Sequence, residues 1–263
     1  MKHIFIFAAA MAEELQPKET EPTPLEAAHT PNMDSLAQSA EVGLVRTIPA
    51  ELPVDSRIAL LSTLGYAPEK YCVQGIAERL DPLRQLYGFS GSLISAEKEL
   101  QDLAEAASLH YISVEKKKET IEEGYQRKVQ ASLQALADGY TLLCIHLSEA
   151  AKAQCRREKI SCIEAMDRDF LQPLLQELNA QNRPYSLLLT AGYAASSGKN
   201  APCRAAVPFF IYRSGRDGSP STPSFNEKAA AESGLFLSAG PMLMQRFSGK
   251  YQCDFQFDCI PGQ

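Results

Sequence analysis

Apolar and polar positions switch between two periods along the chain, and the switching predicts a layered α/β fold. Lys2–Ala8 is a short apolar run of the kind that forms a strand buried on both faces. Glu13–Pro31 is acidic and interrupted by Pro17, Pro22, Pro24 and Pro31, so it reads as loop with at most a helical turn at Leu25–Ala28. Over Asn32–Ser39 the residues Met33, Leu36 and Ala37 share one helical face, with Asn32 placed to cap it. Val42–Ile48 is the next strand candidate. Ser56–Leu64 reads as a helix opened by Asp55 or Ser56 and closed at Gly65.

The pattern continues through the rest of the chain. Arg79–Gly88 and Ala96–Ala107 are helical in period, with Leu93-Ile94 as a brief strand between them. Tyr111–Val114 alternates like a strand, and Lys116–Glu123 is a mixed-charge block that reads as a solvated loop or a helix start. Gly124–Ala137 is then a helix, Thr141–Leu147 an apolar strand and Cys155–Asn179 a long amphipathic helix. Ser186–Thr190 and Val207–Tyr212 complete a set of parallel-strand candidates. Strands separated by helices predict a doubly wound, mostly parallel sheet with helices on both faces. Gly215–Ser224, rich in Gly, Ser and Pro, reads as a surface loop, and no internal repeat is evident.

Composition narrows the class. A chain of 263 residues can bury one large or two small cores. A net charge of −6 argues against nucleic acid or an anionic membrane as the main partner, because both reward a basic face. No apolar run reaches the ~20 residues needed to span a bilayer. The opening Met1–Met11, with one Lys and a short apolar stretch, reads either as a first strand or as a signal segment. The seven cysteines (72, 144, 155, 162, 203, 253 and 259) are odd in number and show no zinc spacing, which suggests reduced thiols in the cytoplasm. Composition leaves a homo-oligomer open.

Thr23–Leu36 and Ser56–Tyr66 resemble segments of the archaeal-type, cofactor-independent (2,3-bisphosphoglycerate-independent) phosphoglycerate mutases, a branch of the alkaline phosphatase superfamily. The first includes His29-Thr30-Pro31-Asn32-Met33-Asp34, and the second ends Ser62-Thr63-Leu64-Gly65-Tyr66. Tyr87–Ala96 is similar to the family segment that ends in Ile-Ser-Ala, and Tyr125–Ala137 to the helix before its metal-bearing strand. Val207-Pro208-Phe209 resembles the family's Val-Pro-Phe strand, and Glu227–Ala231 its Glu-Lys-Ala-Ala run. The resemblance favours the first-strand reading of the N-terminus. It also implies an alkaline phosphatase-like core over residues 1–263 in which the family's inserted cap domain is deleted between about 72 and 92.

For such a family the resemblance implies two divalent cations (Mn, Zn or Mg) that clamp a phosphoryl group while an alkoxide attacks in line. The cations need about half a dozen Asp and His ligands from the strand ends. At the implied ligand positions this chain has Ala9, Ser148, Lys152, Ala191, Gly192 and a residue near Pro202. Ser56 stands at the family's nucleophile position, followed by Arg57 instead of Asp. Glu13 and Glu14 are the nearest substitute carboxylates. Without a metal or a base, a serine hydroxyl is a weak nucleophile. The expectation is therefore a catalytically degenerate protein with no cofactor, retained for binding, regulation or assembly. Arg57 and Lys152 are its candidate contacts to a small anion, and a protein partner is the other option. The alternative is a residual metal-dependent phosphoglycerate mutase or phosphatase that uses Ser56.

Overall fold

A computed structural model describes residues 1–15, 21–71, 80, 81, 83–114, 118–196, 201–215 and 222–250. The chain opens with β1 (Lys2–Ala8), β2 (Ala12–Glu13), α1 (Pro24–Ala27), α2 (Pro31–Ala37), β3 (Glu41–Val45) and α3 (Ser56–Thr63). It continues with α4 (Pro68–Tyr71), α5 (Leu83–Tyr87), β4 (Gly91–Ser95), α6 (Gln101–Ala106), β5 (His110–Ser113), α7 (Ile121–Ala137) and β6 (Leu142–Leu147). Then come α8 (Glu149–Lys152), α9 (Arg156–Ala165), α10 (Gln172–Ala180), β7 (Tyr185–Thr190), β8 (Ala194–Ala195) and β9 (Pro202–Cys203). The last elements are β10 (Val207–Arg213), α11 (Glu227–Glu232), β11 (Phe236–Leu237) and α12 (Pro241–Ser248).

The main sheet has eight strands in the order β11-β3-β10-β7-β1-β6-β4-β5, and β2-β8-β9 form a small second sheet. β1 lies parallel to both β6 and β7, with Phe5 opposite Cys144 on one side and Leu188 on the other. Its apolar run is buried from Ile4 to Ala8, and each Phe or Ile withdrawn from water contributes roughly 1.5–3 kcal/mol. Val207–Tyr212, expected among the parallel strands, instead runs antiparallel to both β7 and β3. Apolar patterning marks burial and carries no strand direction, so this reversal could not be read from it.

Local rules account for several helix ends. Asp55 caps α3 by accepting the Arg57 amide at 2.7 Å, and Gly65 leaves the helix at φ +98°. Thr120 and Glu123 form a reciprocal capping box that starts α7 inside the mixed-charge block. Asn32 does not cap α2. That position is Thr30, and Asp167 from a distant helix accepts the first amides of α2 in place of a local cap. The long amphipathic helix expected over Cys155–Asn179 is present as α9, a six-residue π-helical segment (Met166–Leu171) and α10.

Within the region assigned to the cap deletion, residues 72–79 and 82 lie outside the described residues, as do 216–221 of the predicted surface loop. β4 and β5, which follow that region, pair within the main sheet. No helix among the described residues is long and apolar enough to cross a membrane.

Candidate functional site

Parallel strands deliver their following loops to one edge of a sheet, and such edges are where α/β folds bind ligands. Here β1 runs into Ala9-Ala10, β6 into Ser148, and β7 into Ala191-Gly192-Tyr193. These three strands are neighbours in the order β7-β1-β6. The Ala9 amide donates to the Leu147 carbonyl at 2.7 Å, which ties two of these turns together. Gly192 has φ +71°, and a Cβ built on it would lie 2.7 Å from the Phe7 ring. Phe7 in turn stacks on His146 with ring centroids 5.6 Å apart.

β4 adds Ser95 and Glu97 to this edge. The Ser95 hydroxyl lies 3.2 Å from Nδ1 of His146 and also accepts the Glu97 amide at 2.9 Å. Lys152, at the end of α8, places Nζ 3.3 Å from Oε1 of Glu97. Complete burial drives the His146 imidazole down to about 4, so its ring is neutral at pH 7. Burial alone would raise the Glu97 carboxyl. The His146 ring, which takes up its proton in the same acid range, a hydrogen bond from Ser148 and the Lys152 ammonium outweigh it and hold the group below its ordinary value.

Ser56 begins α3, and its Oγ is buried without a hydrogen-bond partner. Arg57 is turned back onto Asp55, with Nη2 to Oδ2 at 2.9 Å. Tyr193 feels the charges of both Glu97 and Asp55. Burial, reinforced by those two carboxylates, pushes its phenol up to about 12. Pro202 is exposed on β9 of the small sheet, where it pairs with Ala195 of β8. Glu13 is held in β2, where it takes Lys159 at 3.2 Å and donates its amide to Glu227 at 2.8 Å.

The expected positions Ala9, Ser148, Ala191 and Gly192 thus meet at one edge, with Lys152 reaching them through Glu97. Sequence reasoning passed over Glu97, Ser95 and Tyr193 as site residues and read Asp55 only as a helix opener. A usable signal existed for two of them, since Glu97 and Tyr193 each follow the end of a parallel strand by two or three residues.

Residues 12–250 match the Metalloenzyme superfamily. The chain belongs to that superfamily. Among curated proteins it is 26% identical over 167 residues to a 2,3-bisphosphoglycerate-independent phosphoglycerate mutase of Methanosarcina barkeri, which covers 62% of this chain and 42% of that protein. The enzyme of the same description from Methanothrix thermoacetophila is 29% identical over 175 residues, 65% of this chain and 44% of that protein. The chain therefore spans less than half the length of these relatives. Among solved structures, the PH0037 protein from Pyrococcus horikoshii superposes with TM-score 0.77 at 17% identity, over 95% of this chain and 97% of that one. The cofactor-independent phosphoglycerate mutase from Thermoplasma acidophilum superposes with TM-score 0.68 at 11% identity, over 94% and 99%. Both support the same α/β core.

The metal centre implied by the superfamily is not matched by the donor set at these strand ends. Ala9, Ala191 and Gly192 offer no side-chain donor, and a protonated lysine is no ligand. Of the carboxylates near these strand ends, Asp55, Glu97, Glu13 and Glu149 each face a cationic side chain. Among the described residues no three His, Cys, Asp or Glu side chains are grouped to hold an ion.

Proposed function

We propose that this superfamily member is a degenerate relative of the archaeal-type phosphoglycerate mutases, without the two-metal site and retained for a binding, regulatory or structural role. The observation that carries the reading is the Glu97–Lys152 pair at 3.3 Å. At a strand end where the family would gather acids around a cation, a lysine supplies the positive charge. Phosphoryl transfer depends on fixed charge at the transferring group, and one exposed ammonium does not replace two divalent ions. In this reading the cap domain is deleted between about residues 72 and 92, the chain is one core domain, and it works in the cytoplasm. Its free cysteines among the described residues, Cys144, Cys155, Cys162 and Cys203, fit a reducing compartment.

The crevice would then take a small anion at Ser56, Arg57 and Lys152. Arg57 and Lys152 are both exposed and pair with carboxylates, so an anion must compete for them and binding is weak. The rival reading, a residual phosphomutase or phosphatase using Ser56, draws on the unpartnered Ser56 hydroxyl. Its neighbour Asp55 is spent on capping α3 and holding Arg57, which leaves that serine without a base.

Elemental analysis and a mutase assay on 3-phosphoglycerate test the reading. No stoichiometric Mn, Zn or Mg and no turnover are expected. Two tightly held metals per chain, or turnover that vanishes in Ser56→Ala, would overturn it.

A further inference from the structure

A second concave site lies at the β3–β11 end of the same sheet edge, away from the crevice. Its cavity of about 270 Å³ is lined by Arg46, Glu51, Ser62, Glu69, Ser238 and Gly240, among others. α3 separates the two places. Ser56 starts that helix and Ser62 lies in its last turn, six residues and about 9 Å along the axis.

Three observations give this cavity the chemistry of a built anion subsite. Ser238-Ala239-Gly240 leads into α12, and the amides of Ala239 and Gly240 make no hydrogen bond among the described residues. A helix N-terminus with free amides carries partial positive charge. Ser62 is 1% exposed, yet its hydroxyl lines the cavity without any hydrogen bond among the described residues. A Cβ on Gly240 would come within 2.2 Å of that oxygen, so glycine lets α3 pack closely on the turn before α12 and sets the Ser62 hydroxyl beside the Gly240 backbone at the cavity wall. Arg46, third, has no ion pair among the described residues. Its guanidinium lies over the exposed Phe236 ring, 5.8 Å from the centroid, which positions a fork of donors at the mouth.

Glu51 and Glu69 stand on the exposed rim. A bare anion entering past them is repelled, whereas a molecule that carries an ammonium beside its acid is attracted at both ends. The volume is slightly below the roughly 300–1,000 Å³ of drug-sized pockets, which sets the scale at a small metabolite.

We propose that this cavity binds a small zwitterion, its carboxylate or phosphate held by Arg46, Ser62 and the Gly240 amide and its ammonium by Glu51 or Glu69. This goes beyond the proposed function, since none of these residues belongs to the crevice.

The test is an amide-shift titration of the ¹⁵N-labelled full chain with glycine, phosphoethanolamine, acetate and inorganic phosphate. Glycine or phosphoethanolamine should move the Ala239 and Gly240 resonances at millimolar concentration, and the stronger of the two identifies the acid as carboxylate or phosphate. Arg46→Gln should weaken that response about tenfold, as should Ser62→Ala, each with an otherwise native spectrum. Glu51→Gln with Glu69→Gln should weaken the zwitterion while strengthening acetate and phosphate. Silence of Ala239 and Gly240 toward all four probes overturns the proposal. So does a response unchanged by Arg46→Gln, or acetate and phosphate binding as tightly as the zwitterions in the unaltered protein. Shifts at Ser148 and Lys152 report on the crevice instead, so failure at one place is distinguishable from failure at the other.

Discussion

Asn32 and Asp167, 135 residues apart, are joined twice through one oxygen: the Asn32 backbone amide donates to Oδ2 of Asp167 at 3.1 Å and its side-chain amide at 2.7 Å. The Met33 amide donates to Oδ1 at 2.8 Å. Asp167 is 1% exposed and sits in the π-helical segment between α9 and α10. One buried carboxylate therefore satisfies amides at the start of α2 that a local cap would otherwise take. Replacing Asp167 with Ala should cost about 3 kcal/mol, because these buried donors lose an ionised acceptor together. Urea unfolding with an unchanged slope checks it. Asn32→Ala should cost less, and a double-mutant cycle should show clear coupling between the two positions.

The same bracket explains why the site was harder to read than the fold. Burial of β1, β6 and β7 follows from unbroken apolar runs, and those strands stand where the patterning put them. Asn32 and Asp34 look locally like helix-cap chemistry, yet Asn32 meets Asp167 and Asp34 accepts the Phe225 amide at 2.8 Å. Partners that distant leave no periodic trace. Glu97 and Lys152 lie 3.3 Å apart for the same kind of reason, as strand order β6-β4 brings them together. The lack of side-chain donors at Ala9 and Ala191 is legible one residue at a time; the Glu97–Lys152 pair needs the fold.

His146 should make stability fall in mild acid. The unfolded imidazole takes up a proton near 6.5, whereas burial holds the folded one at about 4. Stability is therefore full above 6.5 and declines as pH falls toward 4, by up to about 3 kcal/mol for this group. His3, also lowered by burial to about 4, acts in the same direction. Asp34, Asp167 and Glu227, all raised by burial, act in the opposite one. Unfolding free energies of wild type and His146→Gln across pH 4–7 isolate the ring by difference. Parallel curves would contradict the assignment.

Gly192 carries two constraints at once. Its φ of +71° is strained for a residue with a Cβ, and the added carbon would meet Phe7 at 2.7 Å. The Phe7 ring is fully buried and stacked on His146, so it has little room to yield. Gly192→Ala should destabilise by about 2–4 kcal/mol, combining backbone strain with overpacking. Thermal or chemical unfolding reads this directly. Gly139 has φ +98° but nothing within 4 Å of a built Cβ, so Gly139→Ala should show the smaller, backbone-only cost of about 1 kcal/mol.

Lys159 decides what Glu13 is free to do. Its side chain is 2% exposed and its Nζ lies 3.2 Å from Oε1 of Glu13. Beside them Glu227 accepts the Glu13 amide and, at 2.6 Å, the Thr23 hydroxyl. Removing one charge from a buried pair leaves the other uncompensated, so Lys159→Met should cost about 3–5 kcal/mol. Pairing it with Glu13→Leu should recover a substantial part, because two apolar chains then face each other where two charges did. Equilibrium unfolding of the two single variants and the double variant measures the coupling. Glu13 is also the nearest carboxylate by sequence to the implied ligand position at Ala9. If it served a cation there, Lys159→Met would raise affinity for Mn or Zn; among the described residues no third His, Cys, Asp or Glu joins Glu13 and Glu227 to hold an ion, so metal titration of that variant should show no gain.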